Sequence, residues 1–152
     1  MYWAILPLKR YFEFTGRSRR LEFWMFSLLN VIVSSLLAAA IFATGDTWDR
    51  VVTTAPENPM AVYGTMFSGV GILLAVWWLA ILIPGVAVGV RRLHDRNLTG
   101  WWYLGFVVLS FVPVVSFISW IAFLVIMALP GTPGPNRFGP SPKGEPTGEA
   151  FE

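Results

Sequence analysis

Three long apolar stretches without a charged residue constrain this chain more than any other feature of its sequence. They cover residues 23–43, 66–90 and 101–129 of a 152-residue chain that is 55% apolar and only 13% charged. A helix rises about 1.5 Å per residue, so roughly 20 apolar residues cross the ~30 Å hydrocarbon core of a bilayer. A soluble domain of this length cannot bury so much apolar surface. The sequence therefore predicts an all-α integral membrane protein.

The apolar stretches and the polar residues between them divide the chain into eight parts. Four membrane segments are predicted, at residues 23–43, 63–92, 101–112 and 113–129. The other parts are a basic aromatic interfacial segment at 1–22, an external acidic loop at 44–62, a cytoplasmic loop at 93–100 and a Pro/Gly-rich cytoplasmic tail at 130–152. The composition of the tail predicts neither a helix nor a packed core. The expected architecture is thus two full transmembrane helices followed by a short-armed helical hairpin.

The third apolar stretch allows two interpretations. Its 29 residues would extend about 43 Å as one helix, which is too long for one upright span and short for two. A single span kinked at Pro113 would leave residues 121–129 in water. Each large apolar side chain left exposed there would forfeit about 1.5 to 3 kcal/mol of burial free energy. A turn around Pro113 exposes only a few backbone groups, which adjacent helices can cover. The balance favours the hairpin.

The distribution of basic residues predicts the orientation. Five Lys and Arg residues precede the first apolar stretch, one lies in the loop at 44–62, and three follow the second stretch. The positive-inside rule then places the N-terminus in the cytoplasm, and the hairpin returns the C-terminus to the same side. A cleaved signal peptide is the alternative, because Ala38, Ala39 and Ala40 are small. The long apolar run and the long basic preamble disfavour it.

Composition excludes several classes of function. The chain has no cysteine and one histidine, so it offers no thiolate metal site, and we expect no metal and no cofactor. A net charge of +2 gives no broad basic surface for nucleic acid. The expected partners are membrane lipids, with a second copy of the chain or another membrane subunit as further candidates.

Three polar clusters stand next to the apolar stretches. They are TGRSRRLEFW at 15–24, RRLHD followed by GWW at 91–102, and GTPGPNRFGP at 131–140. In this order and spacing they resemble the bacterial inner-membrane family known as domain of unknown function 805, over about residues 9–142. The resemblance implies a small multi-span inner-membrane protein, and it supplies no activity and no catalytic residue. One departure is Ser141, where the family pattern has an aspartate before the last proline.

The same clusters contain the candidate site for anions or lipid headgroups. Its residues are Arg17, Arg19, Arg20, Glu22, Arg91, Arg92, His94, Asp95, Asn136 and Arg137. Basic residues at the cytoplasmic surface attract anionic lipid with about 1 kcal/mol each, although the positive-inside rule alone also places arginine there. We expect Glu22 and Asp95 to be paired with arginines, because an unpaired carboxylate near the hydrocarbon is costly. Arg91 and Asp95 are also four residues apart on one helix face.

His94 and three tryptophans complete the interfacial candidates. His94 is expected to hydrogen-bond at the C-terminal end of its helix, where positive charge is favoured. A proton-linked role is the alternative, since its ordinary pKa lies near neutrality. Trp24, Trp101 and Trp102 are expected in the interfacial aromatic belt.

Small and polar residues inside the predicted spans indicate helix packing. Ser27, Asn30 and Ser34 share one face of the first span. Gly85 and Gly89 have GxxxG spacing, which is common at contacts between membrane helices and here favours packing within the chain. No charged residue lies inside the apolar stretches at 23–43, 66–90 and 101–129, which argues against a proton-coupled carrier.

These observations favour a non-enzymatic inner-membrane protein whose interfacial Arg and Trp residues bind anionic lipid headgroups or an acidic partner, as an accessory subunit. A small oligomeric transporter or channel is the second hypothesis, and it needs several copies because few helices leave little room for a pathway. A membrane enzyme acting on lipid headgroups is the third, with His94 as base and Asp95 or Glu22 orienting it. That hypothesis has no nucleophile motif to support it.

The predicted topology is tested by fusing reporters to the C-terminus. A reporter that is active only in the cytoplasm should give a strong signal, and one that is active only in the periplasm should be silent, because the hairpin returns the tail to the side of Arg17 and Arg91. The reverse pattern would establish three spans and separate the tail from the other two clusters.

Overall fold

The computed structural model describes residues 2–43, 49, 52–53, 58, 60, 63–64 and 71–144. Over these residues the chain forms five named α-helices and no named β-strand, which confirms the predicted all-α class. The helices are α1 (Tyr2–Lys9), α2 (Arg20–Ala43), α3 (Gly71–Asp95), α4 (Trp101–Leu109) and α5 (Val115–Ala128). Most of the predicted external loop at 44–62 lies outside the described residues.

Contacts within the chain define two compact units. The first consists of Met1–Phe26 together with Ile83–Glu152, and the second of Ser27–Leu82. The first unit contains α1, the beginning of α2, the end of α3, both short helices and the tail. All the interfacial polar residues predicted from the sequence belong to this first unit.

The second unit contains the remaining lengths of the two long helices. With 24 and 25 residues and high hydropathy, α2 and α3 are each long and apolar enough to cross a membrane. Large apolar side chains stay exposed along them, such as Leu36 (67%) and Leu79 (69%), which suits contact with hydrocarbon. The polar residues predicted for helix packing are all half-buried on α2; they are Ser27, Asn30 and Ser34.

The third apolar stretch is a helical hairpin. Its arms, α4 and α5, are separated by residues 110–114, where Val114 has a φ of 69°. The Phe123 ring of α5 packs edge-on against Tyr103 and Phe106 of α4, with centroids 5.8 and 5.4 Å apart. At about 1.5 Å per residue the arms are roughly 14 and 21 Å long, so neither reaches across a bilayer by itself.

The tail is packed more closely than its composition suggests. Residues 130–144 are described without helix, and Asn136 and Gly139 exchange two backbone hydrogen bonds. They lie against the end of α3, where the Thr132 amide donates to the Asp95 carbonyl at 2.8 Å. Residues 130–144 thus pack against the end of α3 without forming a helix, because proline and glycine prevent a helix but leave the backbone carbonyls free to accept hydrogen bonds.

The two glycines of the GxxxG pair face different neighbours within the first unit. A Cβ at Gly89 would lie 2.5 Å from Cε2 of Tyr103, so the bare backbone is what lets α4 approach α3. A Cβ at Gly85 would lie 3.9 Å from Phe26, at ordinary contact distance. The spacing thus serves packing inside the chain at both positions.

Replacing Gly89 by alanine should weaken the packing of the hairpin. Overpacking typically costs about 1 to 3 kcal/mol, and we expect Gly89→Ala to lower the thermal unfolding temperature in detergent. Gly85→Ala is the matched control, with the same substitution on the same helix and no collision. Equal unfolding temperatures for the two variants would show that Gly89 does not set the distance between α3 and α4.

Candidate functional site

The centre of the first unit is a buried carboxylate shared by two arginines. Arg17 Nε donates to Asp95 Oδ1 at 2.9 Å, and the Arg92 guanidinium donates to Asp95 Oδ2. All three residues are nearly inaccessible, with Asp95 only 4% exposed. A buried carboxylate is tolerated when it is paired and hydrogen-bonded, and the predicted pairing of Asp95 with arginine is present.

A second buried pair joins the beginning of α2 to the end of α3. Arg91 Nη2 lies 3.1 Å from Glu22 Oε1, and the Ser18 hydroxyl donates to Glu22 Oε2 at 2.8 Å. The Ser18 amide also donates to the Arg91 carbonyl at 3.1 Å. Arg91 and Glu22 are 0% and 2% exposed, and their contact is an ion pair without the alignment of a hydrogen bond. The predicted pairing of Glu22 with arginine is therefore also present.

The arginine partners of Asp95 differ from the one that its helix spacing predicts. Arg91 and Asp95 are four residues apart on α3, yet Arg91 reaches across to Glu22 and Asp95 takes Arg92, three residues before it, together with Arg17. The sequence could not distinguish these choices, because a helix neighbour at i−3 and one at i−4 are equally near. We call this set the arginine network; its residues are Arg17, Glu22, Arg91, Arg92 and Asp95.

Arginines also satisfy the carbonyls at the end of α5. The last carbonyls of a helix have no partner inside it. Here the last two carbonyls of α5 accept from guanidinium groups, Met127 from Arg92 at 3.0 Å and Ala128 from Arg20 at 3.2 Å. The next two carbonyls, just beyond the helix, do the same: Leu129 accepts from Arg92 and Pro130 from Arg96. The hairpin is thereby attached to α3 by side chains that donate to backbone.

The tail is held by the same kind of contact. Arg17 donates to the carbonyls of Thr132 and Gly134, both at 2.6 Å. Asn136 Nδ2 donates to the His94 carbonyl at 3.0 Å, so the tail caps the C-terminal end of α3. Arg137 donates to the Asn97 carbonyl at 2.9 Å and remains exposed. Asn136 and Arg137 therefore have structural partners, and Arg137 pairs with no carboxylate among the residues that the structure describes.

His94 contacts a loop carbonyl instead of the end of its own helix. Its Nδ1 lies 3.1 Å from the Gly16 carbonyl, which makes Nδ1 the donor. Its ring stacks on Phe138 at 4.0 Å between centroids. Glu22 and Asp95, which were predicted to orient it as a base, are both paired with arginines. The hydrogen bond at the C-terminal end of α3, which was expected from the His94 side chain, is made by the Asn136 side chain instead.

Three cations at the edge of the network remain available to an external group. Arg19, Arg20 and Lys143 line a cavity of about 360 Å³ together with Arg17, Asp95 and the backbone of residues 131–134 and 141–144. We call it the basic cleft. Arg19 Nε donates to the Pro142 carbonyl, but within the described residues its terminal nitrogens, like the Lys143 ammonium, have no hydrogen-bond partner. Arg20 and Lys143 are exposed.

Lys143 was not among the residues predicted for the site. The sequence signal was its position as one of two cations in the tail, Arg137 being the other, but nothing in the sequence brings it to Arg19. The predicted tryptophans are separated: Trp24 lies one turn beyond Arg20, whereas Trp101 and Trp102 are exposed at the beginning of α4.

Among the described residues, no three His, Cys, Asp or Glu side chains lie close enough together to hold a metal ion.

Breaking the central pair should destabilise the protein strongly. Asp95→Asn leaves two buried guanidinium groups without a counter-charge, and removal of one partner from a buried pair costs about 3 to 5 kcal/mol. Denaturant unfolding in detergent measures the loss.

The control is Glu13→Gln, which removes a part-exposed carboxylate next to Arg10. The hydrogen bond from Arg10 lowers the pKa of Glu13, but such surface pairs contribute about 0.2 to 1 kcal/mol. Similar losses in both variants would contradict a central role for Asp95.

Comparison with known proteins identifies relatives of this chain. Escherichia coli K12 inner membrane protein YhaH is 37% identical over 146 residues, covering 96% of this chain and all of the relative. Inner membrane protein YhaI of the same organism is 36% identical, covering 94% of this chain and 97% of the relative. No solved structure matches. The profile described as "Protein of unknown function (DUF805)" matches residues 11–140, and the chain belongs to this family.

Proposed function

We propose that the protein is a non-catalytic inner-membrane component that binds the phosphate of anionic lipids at the cytoplasmic interface through the basic cleft. The observation that carries this proposal is the division of the cations into two groups. Arg17, Arg91 and Arg92 are buried and occupied by internal partners, whereas Arg19, Arg20 and Lys143 converge on a cleft with donors to spare.

The buried arginines are unsuited to an external ligand. Arg17 donates to Asp95 and to two tail carbonyls, and Arg92 donates to Asp95 and to the end of α5. A ligand could reach their nitrogens only by breaking contacts that hold the fold. The candidate anion site from the sequence is thereby reduced to Arg19 and Arg20, with Lys143 added.

The charge of the basic cleft favours an anion. Asp95 is the one acidic residue that lines it among the described residues, and Arg17 and Arg92 already neutralise that carboxylate. The other three positive charges, on Arg19, Arg20 and Lys143, have no carboxylate counter-charge within the part of the chain that the structure describes. Guanidinium groups bind phosphate with paired, charge-assisted hydrogen bonds, and basic residues near an anionic leaflet contribute about 1 kcal/mol each.

The position of the cleft along α2 supports a lipid as the source of the phosphate. Arg19 and Arg20 stand at the beginning of an apolar helix of membrane length, and Trp24 follows one turn later. With the N-terminus in the cytoplasm, as the positive-inside rule predicts, these residues lie at the depth of the cytoplasmic headgroups.

The other two hypotheses have less support. The apolar residues 23–43 and 71–90 of the long helices contain no charged side chain, which gives a coupled carrier no ion site at the centre of a span. His94 is oriented by a backbone carbonyl rather than by a carboxylate, so the pairing proposed for a catalytic base is absent from the described contacts.

The proposal is tested by removing the three cleft cations together. In Arg19→Gln/Arg20→Gln/Lys143→Gln, retention of anionic lipid in native mass spectrometry should fall roughly 100-fold, since three contacts of about 1 kcal/mol are lost. The matched control is Lys9→Gln/Arg10→Gln/Arg50→Gln, which removes the same charge elsewhere and should retain lipid. Equal losses would show that total charge, or an acidic protein partner, accounts for the cluster instead.

A further inference from the structure

We infer that the basic cleft selects one class of lipid, in which a terminal phosphate monoester is joined directly to the hydrocarbon-bearing part of the molecule. The inference rests on the proposed function and specifies its ligand. It is carried by two adjoining cavities, one polar and one with apolar side chains, that are both lined by Arg19, Arg20 and Lys143.

The second cavity lies beside the basic cleft. It measures about 410 Å³ and is lined by Leu21, Trp24 and Ala128 in addition to Arg19, Arg20 and Lys143. We call it the apolar groove. Trp24 and Leu21 are 40% and 50% exposed, so their side chains offer open apolar surface immediately next to the cations.

Arg19, Arg20 and Lys143 therefore lie at the boundary between the basic cleft and the apolar groove. On one side the basic cleft is lined by residues 131–134 and 141–144 of the tail. On the other side the apolar groove presents aromatic and aliphatic surface. A ligand that occupies both cavities must carry its charge at the point where its polar and apolar parts meet. A lipid has this construction, whereas a free phosphate fills only the polar cavity.

The charge balance distinguishes a monoester from a diester. A phosphodiester carries one negative charge, whereas a phosphate monoester carries about −1.5 to −2 near neutral pH and presents three acceptor oxygens. Among the described residues, the terminal nitrogens of Arg19 and the ammonium of Lys143 have no partner, and Arg20 uses one nitrogen on the Ala128 carbonyl. Three cations with donors to spare match the monoester more closely than a single-charged diester.

The volume of the basic cleft agrees with a small headgroup. Its 360 Å³ is near the lower end of the roughly 300–1,000 Å³ range of ligand cavities. A phosphate with its hydrating waters and the adjoining glycerol fits this space, and the hydrocarbon chain continues along the apolar groove over Leu21 and Trp24.

The test uses the full chain in nanodiscs of phosphatidylcholine with equal mole fractions of phosphatidic acid and phosphatidylglycerol. Mass spectrometry of the retained lipid should show phosphatidic acid enriched about fivefold over phosphatidylglycerol near pH 7.5, as one additional charge contact of about 1 kcal/mol would give. Since the second ionisation of the monoester has a pKa of about 6, the enrichment should disappear as the pH falls below that value.

Two variants examine the two cavities separately. Trp24→Ala should reduce phosphatidic acid retention several-fold and leave binding of soluble glycerol 3-phosphate unchanged, because only the chain contacts the apolar groove. Trp102→Ala, an exposed tryptophan that lines neither cavity, is the matched control. Arg19→Lys/Arg20→Lys keeps the charges and should retain much of the enrichment, which separates loss of binding from loss of folding.

The outcomes distinguish this inference from the proposed function. If both lipids are retained equally and both are lost in the triple glutamine variant, the ligand class is wrong and the proposed function stands. If the triple variant retains both lipids, the proposed function fails as well. Displacement of phosphatidic acid by an equal concentration of glycerol 3-phosphate would overturn the assignment of a chain to the apolar groove.

Discussion

The rest of the first unit depends on the shared carboxylate of Asp95. A negative charge at the C-terminal end of a helix is unfavourable against the helix dipole, and burial adds a desolvation cost. Arg17 and Arg92 offset both effects, and each continues to other partners: Arg17 to the tail, Arg92 to the end of α5. One buried carboxylate thus joins the segment before α2, the end of α3 and the hairpin.

Arginine suits this arrangement because the acceptors are mostly backbone carbonyls. A guanidinium has five N–H donors in a rigid plane and keeps its charge when buried. Arg92 can therefore serve Asp95 and the carbonyls of Met127 and Leu129 at the same time. Near the hydrocarbon, where water is scarce, such donors replace the solvent that caps a helix end in a soluble protein.

The sequence predicts the features that follow from hydropathy and from the cost of an unpaired charge. The long helices, the hairpin and the need of Glu22 and Asp95 for arginine partners are of this kind. It does not predict that Arg91 takes Glu22 and leaves Asp95 to Arg17, because that choice depends on how α2 and α3 meet. Nor does it predict which tail carbonyls accept from Arg17, since a backbone carbonyl is present at every residue and leaves no signal in the sequence. Gly131, where a Cβ would collide with the Asp95 carboxylate, shows how close this packing is.

The basic cleft exists only because the tail is held in place. Residues 131–134 and 141–144 form one side of it, and Arg17 attaches that side through Thr132 and Gly134. The cleft and the arginine network are therefore energetically linked. A ligand that binds only the folded cleft stabilises it in proportion to the logarithm of its concentration over its dissociation constant. A phosphate at Arg19 and Lys143 would also strengthen the attachment of the tail that supplies Lys143.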